Sequence, residues 1–194
     1  MLSIIAGFLI GMGGIIYLTL GGIAGALFFS LGLITIVTFK FYLFTGKAGL
    51  LTTGEIAPAA LFAIWCGNFV GTIFGAVAAT MLPQSEMIIE KATAIVATRV
   101  ANPSLVNFAL GTMCGLLMYV AVTGFAKTNS YLFLIMPVAF FILAGFNHCV
   151  ADMFYTILGA QNVKEITHLI PTTLGNLVGC CIIPLSDQYR RGLL

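Results

Sequence analysis

Residues Gly145–Phe154 read GFNHCVADMF, and how this stretch is accommodated decides the fold. It follows the apolar run YLFLIMPVAFFILA at 131–144, so glycine, asparagine, histidine and aspartate crowd into a segment that is otherwise apolar. Polar, non-helical backbone at membrane depth survives only where protein buries it or where it lines a cavity. The stretch therefore predicts a membrane-crossing helix interrupted at a functional site. A second interruption is expected at 34–49, ITIVTFKFYLFTGKAG, where Lys40 lies inside an apolar run and Gly46 and Gly49 follow.

Working outward, the flanks are membrane spans. Hydrophobic residues make up 60% of the 194-residue chain and charged residues 7%, against about 25% charged in soluble domains. A surface so poor in charge needs lipid around it. Stretches free of Asp, Glu, Lys and Arg cover 1–39, 56–85, 100–126, 128–151 and 166–186. A helix needs about 20 apolar residues to cross the hydrocarbon, so the first stretch holds two crossings with Gly21-Gly22 as the turn. Six crossings are expected, centred near residues 10, 32, 69, 114, 142 and 177. The N-terminal MLSIIAGFLIGMGG has no positive start and is expected to remain as a span. An even number of crossings puts both termini on one side. Lys47, Lys127, Arg190 and Arg191 fall on that side, against Lys91, Arg99 and Lys164, which points to cytoplasmic termini.

The chain reads as one transmembrane domain, 1–194, built of two halves, about 1–85 and 100–190. GNFVG at Gly67–Gly71 recurs as GNLVG at Gly175–Gly179, and GMGGIIY at Gly11–Tyr17 is echoed by GTMCGLLMY at Gly111–Tyr119. The two breaks align Phe41 with Phe146. With three crossings per half, the second half enters from the opposite side, which makes an inverted repeat. Recurrence of small residues for close helix packing is the plain alternative.

Among residues that could carry chemistry, His148 stands in the second break; an imidazole titrates near neutral pH and can relay protons, whereas facing lipid would be costly. A histidine buried for packing is the alternative. Lys40 and Asp152 are ionisable groups beside the two breaks, and each needs a partner, a cavity or a nearby interface. Thr45 offers a hydroxyl to a passing solute. A net charge of +2 gives no footprint for nucleic acid, and the five cysteines lack zinc-ligand spacing. Two histidines are too few for a metal or haem site, so no cofactor is expected.

Three motifs in order now carry a family resemblance. FSLGL at Phe29–Leu33 with LFTG at Leu43–Gly46, then GFNHCVADMF, then LIPTTLGNLVG at Leu169–Gly179, resemble the signatures of the formate/nitrite transporter family over nearly the whole chain. The resemblance implies an all-α, aquaporin-like, six-span protomer with an inverted 3+3 repeat and broken second and fifth helices. It implies a homo-pentamer with one pore per subunit, in a prokaryotic cell membrane. Small monovalent anions or their conjugate acids would pass (formate, nitrite, hydrosulfide or a short monocarboxylate), coupled to protons. By motif, His148 would be the central histidine, with Asn147 beside it, and Leu43, Phe44 and Thr45 would form the first broken loop. Phe29, Leu33 and Phe141 would narrow the pore, while Arg99 and Lys127 would be vestibule cations. The sequence departs from the pattern at Asn147, a glutamate in the family, at Asp152, an asparagine, at Lys40, a small residue, and at Gly115, where an asparagine commonly lines the pore. Lys40 and Asp152 are accordingly expected to form a salt bridge pinning one break to the other, unless Lys40 faces the pore. Two other functions compete: an aquaporin-type channel for neutral solutes, suggested by Asn102-Pro103-Ser104, and a membrane-anchor or redox subunit with His148 and His168 as ligands.

Overall fold

A computed structural model describes residues 1–192. Its helices are α1 (Leu2–Leu20), α2 (Gly22–Thr38), α3 (Phe44–Lys47), α4 (Pro58–Thr80), α5 (Ser85–Ala101), α6 (Ser104–Thr128), α7 (Leu132–Leu143), α8 (Cys149–Gly159) and α9 (Leu169–Arg190). Short 3-10 turns at Ala48–Leu51 and Val163–His168 precede α4 and α9. By length and composition, α1, α4, α6 and the segment Val163–Arg190 can each cross a membrane, whereas α2, α7 and α8 are shorter apolar helices. The short helices are the pieces of the two interrupted crossings. The charged stretch at 85–101 forms a helix of its own, α5.

Packing follows from glycine. The most extensive helix contacts are α6 with α9 and α1 with α4. A Cβ at Gly7 would collide with the Asn68 carbonyl, and one at Gly115 with the Asn176 carbonyl, so bare backbone lets each pair touch. Gly115 is thus a packing position with no room for a side chain, and Gly7 makes the same close approach in the other pair. At Gly21-Gly22 the backbone has φ of 65° and 52°, conformations that only glycine adopts at little cost, and the chain turns there from α1 into α2.

Large apolar side chains such as Phe28, Leu31, Phe62, Phe74, Phe140 and Ile170 stand exposed on the flanks. The inside holds polar groups as well as an apolar core: Thr45, Asn68, Asn107, Asn147, His148, Asp152 and Asn176 are all buried. An apolar outside over a partly polar inside belongs to a protein surrounded by lipid.

Candidate functional site

Each break is opened by one left-handed residue and held by one asparagine. Lys40 ends α2 with φ 57° and Gly145 ends α7 with φ 74°. After each, a phenylalanine amide closes back five residues, Phe41 to the Ile36 carbonyl and Phe146 to the Phe141 carbonyl, both at 2.9 Å. This is the 6→1 bond of a helix end. Asn68 then accepts the Phe44 amide at 2.8 Å and donates to the carbonyls of Ser3 at 2.8 Å and Tyr42 at 2.9 Å. Asn176 accepts the Cys149 amide at 2.9 Å and donates to the carbonyls of Gly111 at 2.8 Å and Asn147 at 2.7 Å. The backbone groups freed by unwinding are thus satisfied away from water.

His148 and Thr45 come together where the two breaks meet. His148 Nε2 lies 3.0 Å from Thr45 Oγ1, both residues buried. His148 also caps α8, its Nδ1 accepting the Ala151 amide at 3.2 Å. A neutral ring whose Nδ1 accepts must carry its proton on Nε2. That proton points at Thr45 Oγ1 and leaves the threonine hydroxyl hydrogen free to donate elsewhere. Phe141 stacks on the imidazole at 5.5 Å and 19°, and Phe29 meets Phe141 edge-on at 6.2 Å. Phe29, Leu33, Leu43, Phe44 and Phe141 are all buried around this pair.

A cavity lies on each side. One, of about 200 Å³, is lined by Tyr17, Thr98, Arg99, Phe141, His148 and Asp152, among others. The other, of about 480 Å³, is lined by Leu33, Lys40, Leu43, Gly46, Lys47 and Val122, among others.

The structure separates Lys40 from Asp152, against expectation. Asp152 pairs with Arg99, Nε to Oδ1 at 3.6 Å, and Arg99 also donates from Nη1 to the Gly145 carbonyl at 3.2 Å. Lys40 is exposed and lines the opposite cavity. The two groups line different cavities, Lys40 one and Asp152 the other. Arg99 is therefore no free vestibule cation, because a carboxylate shares its charge. Lys127 is exposed in the last turn of α6 and lines neither cavity. Asn147 also sits behind the site. It donates to Asn107 Oδ1 at 3.0 Å and Thr172 Oγ1 at 3.5 Å, and Asn107 in turn donates to the Arg99 carbonyl at 2.7 Å.

Sequence reasoning missed Lys47, counted only for topology, and the roles of Asn68 and Asn176. The signal for the asparagines was present in GNFVG and GNLVG, where the glycines drew attention instead. His168 pairs with Thr156 Oγ1 at 3.1 Å, away from His148. Among the described residues no group of three or more His, Cys, Asp or Glu side chains is placed to hold a metal ion.

Comparison with known proteins fits this geometry. A family model described as formate/nitrite transporter matches residues 1–186. The formate channel FocA of Haemophilus influenzae is 29% identical over 210 residues, covering 86% of this chain and 73% of that protein. Among solved structures, a pentameric formate channel with formate bound superposes with a TM-score of 0.83 at 26% identity, covering 100% of this chain and 96% of the other. An ion channel of the FNT family gives 0.84 at 25% identity, covering 97% and 88%. With a match running through both breaks and nearly end to end, the chain belongs to the formate/nitrite transporter family: it is a multi-pass membrane channel or transporter for small anions, not an enzyme.

Proposed function

We propose that the chain is a proton-coupled pathway for a small monovalent weak acid, formate foremost, with one pore in each subunit of a homo-pentamer in a prokaryotic cell membrane, both termini cytoplasmic. The observation that carries this reading is the Thr45–His148 pair, buried between two cavities and flanked by Phe29 and Phe141. The two relatives described as formate channels support the substrate, and the solved one, described as pentameric, supports the assembly.

Charge makes the case for proton coupling. Moving a bare carboxylate into a low-dielectric slit costs on the order of 20 kcal/mol in the idealised Born picture. Protonating an acid of pKa about 4 at pH 7 costs roughly 4 kcal/mol. Neutralisation before the slit is far cheaper. Lys40 and Lys47 at one mouth draw the anion in, while Arg99, paired with Asp152, lines the other. Falling dielectric then raises its proton affinity, and it takes a proton. The neutral acid passes Phe29, Leu33 and Phe141, while the free Thr45 hydroxyl donates to its carbonyl oxygen. Nitrite, hydrosulfide and short monocarboxylates are likewise monovalent anions of weak acids that a proton neutralises.

We also read residues 1–85 and 100–190 as inverted repeats. The paired asparagine clamps support this, as do two end contacts. Gln188, near the end of α9, donates to the Thr52 carbonyl ahead of α4 at 2.7 Å. Lys91, on α5 beyond α4, donates to the Leu18 carbonyl at the end of α1, also at 2.7 Å.

The test is uptake of isotope-labelled formate, nitrite, hydrosulfide, acetate and lactate by proteoliposomes at two pH values. Formate uptake that rises at the lower pH and carries protons with it is expected. No anion uptake above protein-free vesicles would overturn the proposal.

A further inference from the structure

We propose that Asp152 is the proton donor to the anion at the Arg99 mouth, an inference that rests on the weak-acid reading above. Asp152 is 1% exposed and lines the smaller cavity together with Arg99 and His148. Its contact with Arg99 is incomplete. The separation of 3.6 Å from Nε to Oδ1 lies beyond a hydrogen bond, and both Arg99 Nε and Asp152 Oδ2 are buried without a hydrogen-bond partner. A pair built only for stability would close into the bidentate fork that arginine and carboxylate favour. Here one donor and one carboxyl oxygen are left without a hydrogen-bond partner, in two residues that line the same cavity.

A planar oxyacid anion answers both. One of its oxygens accepts from Arg99 Nε–H, and the other faces Asp152 Oδ2. In the transfer, the Asp152 O–H bond breaks and an O–H bond forms on the substrate. Asp152 becomes the carboxylate that Arg99 balances, and the neutral acid moves on toward Phe141 and His148. Water at the same mouth returns a proton to Asp152, so each cycle carries one anion and one proton.

The neighbouring titratable groups serve this step less well. Arg99 faces Asp152 from α5, Tyr17 lines the cavity from α1, Tyr155 and Cys149 lie on α8, and Cys114 faces it from α6. Arginine, tyrosine and cysteine hold their protons too tightly to give them to a carboxylate. His148 has both nitrogens engaged, with Thr45 and the Ala151 amide. His168 approaches only through Thr156, which donates to the Asp152 carbonyl at 2.6 Å. A carboxyl matches a carboxylic-acid substrate in intrinsic acidity, which is what efficient proton exchange requires.

The experiment is labelled formate uptake across pH 5 to 8 by the wild-type protein, Asp152→Asn and Asp152→Glu, with oligomeric state checked by size exclusion. Without the donor only preformed formic acid enters, so uptake by Asp152→Asn should fall about tenfold per pH unit. Wild type and Asp152→Glu should fall less steeply. A wild-type slope retained in Asp152→Asn overturns the proposal while leaving weak-acid transport intact. Absence of uptake in wild type overturns both. Should Asp152→Asn fail to assemble, infrared difference spectra of wild type decide: the carboxyl band that moves in Asp152→Glu should diminish under a formate gradient, and an unchanged band refutes the donor role.

Discussion

His148 holds its place by two hydrogen bonds and one stacked ring, so its substitution separates chemistry from packing. Phenylalanine keeps the size and the stack with Phe141 but removes both nitrogens. His148→Phe should abolish formate flux in proteoliposomes while the oligomer survives size exclusion; full flux would remove the histidine from the mechanism. His148→Asn is the finer case, keeping flux if the dielectric gradient alone suffices. The asparagine clamps lie at the same scale. Asn68→Ala or Asn176→Ala strips three hydrogen bonds from a break and leaves buried backbone groups unsatisfied, at about 1–3 kcal/mol each. Either change should lower the melting temperature in detergent, whereas Asn147→Ala, which loses one firm side-chain bond and one at 3.5 Å, should cost less.

Helix ends and helix pairs set the next scale. Lys40 occupies a left-handed position that Gly145 fills in the other break, and a non-glycine residue there costs roughly 1–2 kcal/mol. Lys40→Gly should therefore raise thermal stability by up to about 1 kcal/mol, while Lys40→Met should leave it near wild type. Both should raise the half-saturation concentration from that mouth, an effect that salt weakens because screening acts over about 8 Å. A stability loss from Lys40→Met alone would instead reveal a structural partner for the lysine. Between α5 and α8, Arg99→Gln should lower thermal stability, because the Asp152 carboxylate is buried and uncompensated whenever it has given up its proton. The double change Arg99→Gln with Asp152→Asn should recover much of that, as read by thermal unfolding of the four proteins in one cycle.

At the scale of the molecule, the apolar flanks of the protomer have to be covered by lipid or by neighbouring subunits. The proposed pentamer should appear in native mass spectrometry as five times the 20.6 kDa chain. A monomer or dimer that still carries formate would show that each pore is complete without its neighbours and would refute the assembly.

Composition, the charge-free runs and the polar residues at 145–154 determined a membrane protein with two interrupted helices, because lipid leaves buried backbone few solutions. The resemblance implied separate pore roles for His148, Thr45, Phe29 and Phe141, and their mutual contacts were seen only in the structure. Partnership of charges was another matter. Nothing in the spacing of Lys40, Arg99 and Asp152 says which two meet. That depends on α5 folding against α8, which brings Arg99 to Asp152. The roles of Asn68 and Asn176 were likewise decided only in three dimensions. An asparagine in a glycine-rich motif reads as helix packing until the unpaired amides of a distant break are seen to end on its side chain.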